Sequence, residues 1–331
     1  MVCPERQRGR DITSDGGHIY DKAEGNNQGG VCMILNDSFG LMPIWDASFD
    51  IYKEFVKICD KHSLRYYATD GTALGAVRHK SYIPWDDDFD VSMPRPDYEK
   101  FLRIAEAELP KHLKLITWKN TPEYHLLFGK IQNVQRDYVE NIEKRVGHVL
   151  SNGVFIDVFP IEGYPTSAFA KIKINVLSFV YRQILWFRVD RKCRAKVGNR
   201  GLLTRWAKTI TGCIFACLFI RLKNWQDVLG AYEDICREFS FDQCDYTGRT
   251  CSSLTVLRRQ PLKKSAWGSA KEMEFHTGMI KVPEDYDAHL RNEYYKWDYM
   301  VLPPEEQRHP SHGYPYRCAW WLGPTTSAAP F

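Results

Sequence analysis

The chain has 331 residues, of which 44% are hydrophobic and 14% aromatic, so it can bury one large core, or one core plus a helical subdomain. Its formal charge of +4 is small for this length and its basic residues lie beside acidic ones, which leaves no nucleic-acid footprint. Ten cysteines are scattered along the chain and no basic stretch followed by an apolar one opens it, which points to a reducing, cytoplasmic compartment.

Residues 1–40 are rich in Gly, Asp and Asn without a sustained apolar period, and are expected to form a poorly ordered leader. From Ile44 through Ile51, Tyr52, Phe55, Ile58 and Cys59 the apolar positions recur at helical spacing, with Lys53, Glu54, Lys57 and Lys61 between them, which predicts an amphipathic helix. Leu64–Thr69 is a short strand candidate, Gly71 opens a turn, and Thr72–Arg78 has the small and apolar residues of a packed helix. After Pro84, Phe89, Val91 and Met93 alternate with Asp88, Asp90 and Ser92. This is a strand with one buried face and one face of carboxylates. Pro94 and Pro96 end it, and a helix follows over Asp97–Glu108 with Asp97 as its N-cap.

Further strands are expected at Leu113–Thr117, His125–Asn133 and Val154–Phe159. Beyond Pro160 the pattern is mainly helical to about Phe239, and an aromatic segment punctuated by prolines closes the chain. The apolar stretches Ile174–Phe187 and Ile210–Ile220 fall short of the roughly 20 residues a spanning helix needs. The first contains Tyr181, Arg182 and Gln183 and is followed by Arg188, Arg191, Lys192 and Arg194, which suits a core helix or one lying at a membrane surface. No internal repeat appears at solenoid spacing, and the fold class is α/β (α+β): a mixed sheet with flanking helices and a helical C-terminal part.

Asp86, Asp87, Asp88 and Asp90 place four carboxylates within five positions, and their mutual repulsion is relieved by solvent or by a cation. Residues i and i+2 of a strand share a face, so Asp88 and Asp90 can converge on one ion, whereas Asp86 and Asp87 precede the strand and need not. Hard oxygen ligands favour Mg²⁺ or Mn²⁺ over zinc. The ordinary alternative is a solvated acidic turn. A zinc site built from Cys236, Cys244, Cys251 and His276 is disfavoured, because no closely spaced cysteine pair is present there, and Cys213 and Cys217 read as buried thiols.

The stretch GTALGAVRHKSYIPWDDDFDVSMPRPDYEKF, Gly71–Phe101, closely resembles the signature of the LicD family, phosphocholine transferases of bacterial surface glycans related to the fukutin group of ribitol-phosphate transferases. GVFIDVFPIEG at Gly153–Gly163, and MIKVPEDYDAHL with DYMVLPPEEQRH within Met279–His309, extend the resemblance to roughly residues 50–312. Asp70 stands where many members carry a second glycine, Ser81 where many have Gly, and Glu162 where many have Asp.

The resemblance implies a nucleotidyltransferase-like fold with catalytic and metal-binding Asp88, Asp90 and Asp157, and a phosphate-binding turn at Gly71 and Thr72. It divides the chain into a leader (1–40), a catalytic core (41–165), a mainly helical part completing the same domain (166–312) and a tail (313–331). The chemistry of the residues agrees: Gly71 lets backbone approach a phosphate at a helix N-terminus, and Arg78, His79 and Lys80 add charged donors nearby, although each could also be an ordinary surface or helix-end residue.

The expected activity is transfer of phosphocholine from a CDP-linked donor such as CDP-choline to a hydroxyl of a glycan or glycolipid, with peripheral contact to the cytoplasmic face of a membrane. Tyr82 and Trp85 are the aromatics nearest the motif that could face a choline head, although core packing is the stronger reading of each. Alternatives are transfer of another alcohol phosphate such as ribitol phosphate, and a catalytically silent glycan-assembly protein.

Overall fold

A computed structural model describes residues 39–122, 124–136, 138, 153–194, 225–249 and 261–308. The expectations for residues 1–38, for Ile210–Ile220 and for 313–331 lie outside the described residues. Helix α1, Met42–Lys61, has the predicted amphipathic character: Trp45, Phe49, Tyr52, Phe55 and Ile58 are buried, while Lys53 and Lys57 pair with Asp50 and Glu54 on the outer face.

The predicted strand at Leu64–Thr69 is reduced to β1, Tyr67–Ala68, and no turn separates it from α2, Asp70–His79. Gly71 therefore sits inside the first turn of α2, and the chain reverses at Asp70, whose φ is +51. That left-handed conformation is the one that favours glycine. Strand β2, Asp90–Pro94, begins two residues after Asp88. Helix α3, Arg95–Glu108, starts directly after it, with Pro94 at the N-cap position. Asp97 is thus a first-turn residue and not the cap; its carboxylate accepts from Arg65 Nε at 2.6 Å.

Strands β3 (Leu113–Ile116), β4 (Gly129–Asn133) and β5 (Phe155–Tyr164) complete the centre of a curled mixed sheet in the order β1-β2-β5-β4-β3. Among the described strands only β2 and β5 run parallel; the other pairs are antiparallel. Strand β5 continues through Pro160, and its end pairs with β6, Tyr246–Gly248, which in turn pairs with β7, Leu262–Lys263. Between them lie helices α4 (Ala168–Arg194) and α5 (Trp225–Arg237), packed on each other through Tyr181, Leu185, Leu229 and Tyr232.

After Phe239 the chain returns to strands, which sequence periodicity had not revealed. The hairpin β8–β9 (Lys271–Phe275 and Gly278–Val282) inserts Phe275, Ile280 and Val282 into the main core, and α6, Tyr286–Glu293, follows with Asp285 as a true N-cap accepting from Ala288 N.

The alternation of the central strands decides which face carries chemistry. Phe89, Val91, Met93, Ile131, Ile156 and Val158 join α1 and α3 in the main core. Their neighbours Asp90, Asp157 and Lys130 consequently point to the other face. At the far end of the sheet, Arg95 is buried between Glu162 and Glu233, so the family-variant Glu162 is held in an internal ion-pair network. No described helix is long and apolar enough to cross a membrane.

Candidate active site

Asp90 of β2 is the register partner of Asp157 of β5, and Asp157 is the register partner of Lys130 of β4. In-register partners share a face, so the three side chains form a row across adjacent strands. All are buried, at 8%, 7% and 3% exposure for Asp90, Asp157 and Lys130. Lys130 Nζ lies 3.0 Å from Asp157 Oδ1 and 3.4 Å from the centre of the Phe155 ring, which compensates one charge of the row and covers the ammonium.

Helix α2 closes one side. Thr72 Oγ1 accepts the backbone N–H of Asp90 at 2.8 Å, and Asp90 O accepts the N–H of Thr69 at 3.1 Å, so the first turn of the helix is stitched to the start of β2. Asp86 comes up beside that turn: a β-carbon on Gly71 would stand 2.2 Å from Asp86 Oδ2. Only glycine leaves the carboxylate where it is. Sequence reasoning had left Asp86 out of the site, yet its carboxyl is within hydrogen-bonding reach of Asp88. Asp87 is turned away and accepts from the Tyr138 hydroxyl at 2.9 Å.

The electrostatics follow from this crowding. Burial, then the charges of Asp88, Asp70, Asp157 and Asp86, push the Asp90 carboxyl well above the usual carboxylate range. Burial and the neighbouring Asp88, Asp87 and Asp70 do the same to Asp86. Asp70 goes the other way. Burial would raise it, but the Arg249 guanidinium grips both of its oxygens and holds it well below the usual range. Arg249 also pairs with Glu293 at 3.2 Å and lies over the Phe159 ring, joining β6 and α6 to the start of α2. The extra negative charge of Asp70 is therefore answered by a buried cation that sequence pattern had not singled out.

The three basic residues at the end of α2 are used differently. Arg78 donates to the carbonyl of Tyr299 at 2.7 Å and to that of Val301 at 3.4 Å, and the Asp86 charge acts on it. Burial and the adjacent Arg78 charge push the His79 pKa down to about 4, so at neutral pH this ring is an uncharged acceptor for Arg78 Nε, at 3.4 Å. Lys80, in left-handed conformation at the helix end, reaches outward to Glu274 at 3.3 Å. Tyr82 is sealed in the core, stacked on Trp45 and bonded to Ser48, and Trp85 carries the Arg308 guanidinium over its ring at 5.7 Å.

The donor set fits a hard divalent cation. Burying several carboxylates at one place is unfavourable unless positive charge joins them, and the raised Asp90 and Asp86 carboxyls register that cost. Among the described residues no three His, Cys, Asp or Glu side chains enclose an ion by themselves. Asp88 and Asp90 could hold one while substrate phosphates and water supply the rest, the usual arrangement for Mg²⁺. Of the residues weighed for zinc, Cys236 is buried between α4 and α5, the His276 ring pairs with Asp46 at 2.8 Å, and Cys251 lies outside the described residues.

Residues 63–189, which carry β1 to β5 and the acidic motif, match the family model described as LicD/FKTN/FKRP, nucleotidyltransferase domain. These residues are a LicD-family domain. The wider chain is 25% identical over 269 residues to the lipopolysaccharide cholinephosphotransferase LicD of Haemophilus influenzae, a match covering 80% of this chain and 92% of that protein. It is also 36% identical over 56 residues to an uncharacterized protein of Rickettsia typhi, covering 17% of this chain and 18% of the relative. The LicD-family match takes in Asp88, Asp90, Lys130 and Asp157 but ends before Arg249 and Glu293.

Proposed function

We propose that this chain is a metal-dependent phosphotransferase that moves phosphocholine from CDP-choline to a hydroxyl of a cell-surface glycan precursor. The observation that carries the reading is the row Asp90–Asp157–Lys130 beside the N-terminus of α2, with Asp86 and Asp88 at its edge. It is supported by the likeness to a lipopolysaccharide cholinephosphotransferase over most of both chains.

In this reading Asp88 and Asp90 hold Mg²⁺ or Mn²⁺, which, when bound, neutralises charge on the transferring and leaving phosphate oxygens. The backbone N–H groups at the start of α2, with the Thr72 hydroxyl, receive donor phosphate oxygens, and Gly71 keeps that approach open. Asp157 accepts the proton of the acceptor hydroxyl, whose oxygen bonds to the phosphorus that carries choline. The bond from that phosphorus to the bridging oxygen breaks, and cytidine monophosphate leaves with the electron pair. Lys130 holds Asp157 in place. Arg78 braces the 299–301 segment against α2 close to Asp86, where a planar guanidinium can also meet a donor phosphate.

One observation keeps a second cargo in view. Neither aromatic side chain nearest the motif presents an open ring to a choline head, since Tyr82 is buried and Trp85 is faced by Arg308. Ribitol phosphate, carried on the same cytidine monophosphate leaving group, needs no such cage. Incubation with Mg²⁺ and a panel of CDP-alcohols, read as cytidine monophosphate release, distinguishes them: CDP-choline turning over fastest supports the proposal, and CDP-ribitol doing so shifts the cargo. Neither turnover nor binding with any donor would leave a silent glycan-assembly protein.

A further inference from the structure

Asp70 is an adverse residue to find where an anion is to be received. It is the first residue of α2, directly before Gly71 and Thr72, and the open N–H groups of such a turn attract phosphate. Its side chain is only 17% exposed, and its charge acts on both Asp90 and Asp86. A bare carboxylate in that place would repel a phosphate laid on the same turn. Asp70 is not bare, because Arg249 bonds to both of its oxygens.

The fold puts Arg249 on the face of the sheet that carries the carboxylates. Thr69, the residue before Asp70, bonds through its hydroxyl to Ser92 Oγ of β2 at 2.8 Å, and Ser92 is the register partner of Phe159 on β5. Phe159 stands two residues after Asp157, so the two side chains share a face. The Arg249 guanidinium lies over the Phe159 ring at 5.2 Å and reaches Glu293 of α6 at 3.2 Å. The Asp90 charge acts on it as well. Two carboxylates around one guanidinium still leave this cluster with a net negative charge, and without the guanidinium that charge doubles.

We infer that Arg249 sets the affinity of the site for the diphosphate of its donor, acting through Asp70: by cancelling that carboxylate it keeps the start of α2 receptive to an anion. The inference rests on the transferase reading, which supplies the diphosphate. Arg249 is a positioning residue, and it governs binding more than bond breaking, because the Asp70 charge faces the donor in the ground state and the transition state alike. Its loss should therefore raise donor KM more than it lowers kcat. Asp70 and Arg249 act in opposite directions on the donor. Removing the guanidinium should weaken binding, removing the carboxylate should strengthen it, and removing both should cancel. An ion pair that only held the fold together would weaken binding, or leave it unchanged, in all three cases.

The test is the dissociation constant of cytidine diphosphate, measured by calorimetry with Mg²⁺ on the full chain for wild type, R249Q, R249K, D70N and D70N/R249Q. Steady-state release of cytidine monophosphate from CDP-choline and CDP-ribitol is measured on the same samples, below the melting temperature of each. R249Q should raise the dissociation constant and the donor KM on the order of tenfold, with kcat within about threefold of wild type. R249K, which keeps the charge, should lose less. D70N should bind more tightly than wild type although it melts lower, and the double variant should return to within about threefold of wild type. D70N binding no more tightly than wild type, or a double variant as weak as R249Q, would overturn the inference; if R249Q does not fold, D70N decides it alone. Wild type that neither binds cytidine diphosphate nor turns over any CDP-alcohol would strike the transferase reading and the inference with it. Turnover by wild type with the same dissociation constant in every variant would strike the inference alone.

Discussion

Asp90 and Asp157 are direct register partners in the parallel strand pair β2–β5, although they lie far apart along the chain. A shift of one residue in that register would turn Asp157 into the core and bring Ile156 or Val158 to the site. Burial of those two side chains beside α1 and α3 fixes the register, so the hydrophobic core holds the carboxylates together.

Their proximity is a cost to the metal-free protein. Asp90→Asn removes a buried charge that burial and the neighbouring Asp88 disfavour, with almost no change of volume. In the presence of chelator the variant should therefore melt higher than wild type, at about 2–4 °C for each kcal/mol relieved. Added Mg²⁺ should raise the wild-type melting temperature and leave the variant's nearly unchanged. A variant that melts lower in chelator would show that Asp90 is not under repulsion.

Lys130 and Asp157 are a different case, because each answers the other. Lys130→Met should cost about 3–5 kcal/mol by leaving a buried carboxylate uncompensated. The double variant K130M/D157N should regain most of that loss. Urea denaturation of the four proteins of this cycle checks it, and additive losses would mean that the pair contributes no coupling.

Asp70 occupies a left-handed backbone position and is gripped by Arg249, so its replacement by glycine has two opposed effects. Relief of the backbone is worth about 1 kcal/mol, and loss of the ion pair about 3 kcal/mol or more. D70G should destabilise the wild-type chain but stabilise an R249Q chain. The same sign in both backgrounds would contradict the pairing.

His79 provides a pH signature. Its folded pKa of about 4 lies below the value near 6.5 of an unfolded histidine, so the unfolded chain takes up the proton first. The stability this contributes is complete above about pH 6.5 and is lost as pH falls toward 4. The wild-type melting temperature should decline relative to His79→Gln across that interval and run parallel to it above. Parallel curves throughout, or an NMR titration of His79 near 6.5, would mean that the ring is not held neutral.

Much of this was legible because it is local. The helical period of α1 and the alternation of Phe89, Val91 and Met93 against Asp90 and Ser92 are written within a few residues of themselves, and each formed close to where it was read. Lys130 was not legible. A lysine between Gly129 and Ile131 reads as a surface residue until β4 is laid beside β5 and puts it opposite Asp157. Arg249 was hidden for the same reason: its partners Asp70 and Glu293 belong to other elements, and only the tertiary fold joins them. Strands β6 and β7 span three and two residues, too short for a period to declare itself, whereas KEMEF of β8 alternates clearly enough to have been noticed.

In the proposed reaction Asp90 and Asp157 act together on a cytidine-diphosphate donor. The most direct test is cytidine monophosphate release from CDP-choline and CDP-ribitol by wild type, Asp90→Asn and Asp157→Asn, with Mg²⁺ and with chelator. The account predicts release by wild type only when Mg²⁺ is present, and a fall of about a thousandfold in each variant, the several kcal/mol that metal-assisted charge stabilisation and proton removal supply. Release that persists in chelator, or wild-type turnover by either correctly folded variant, would contradict it.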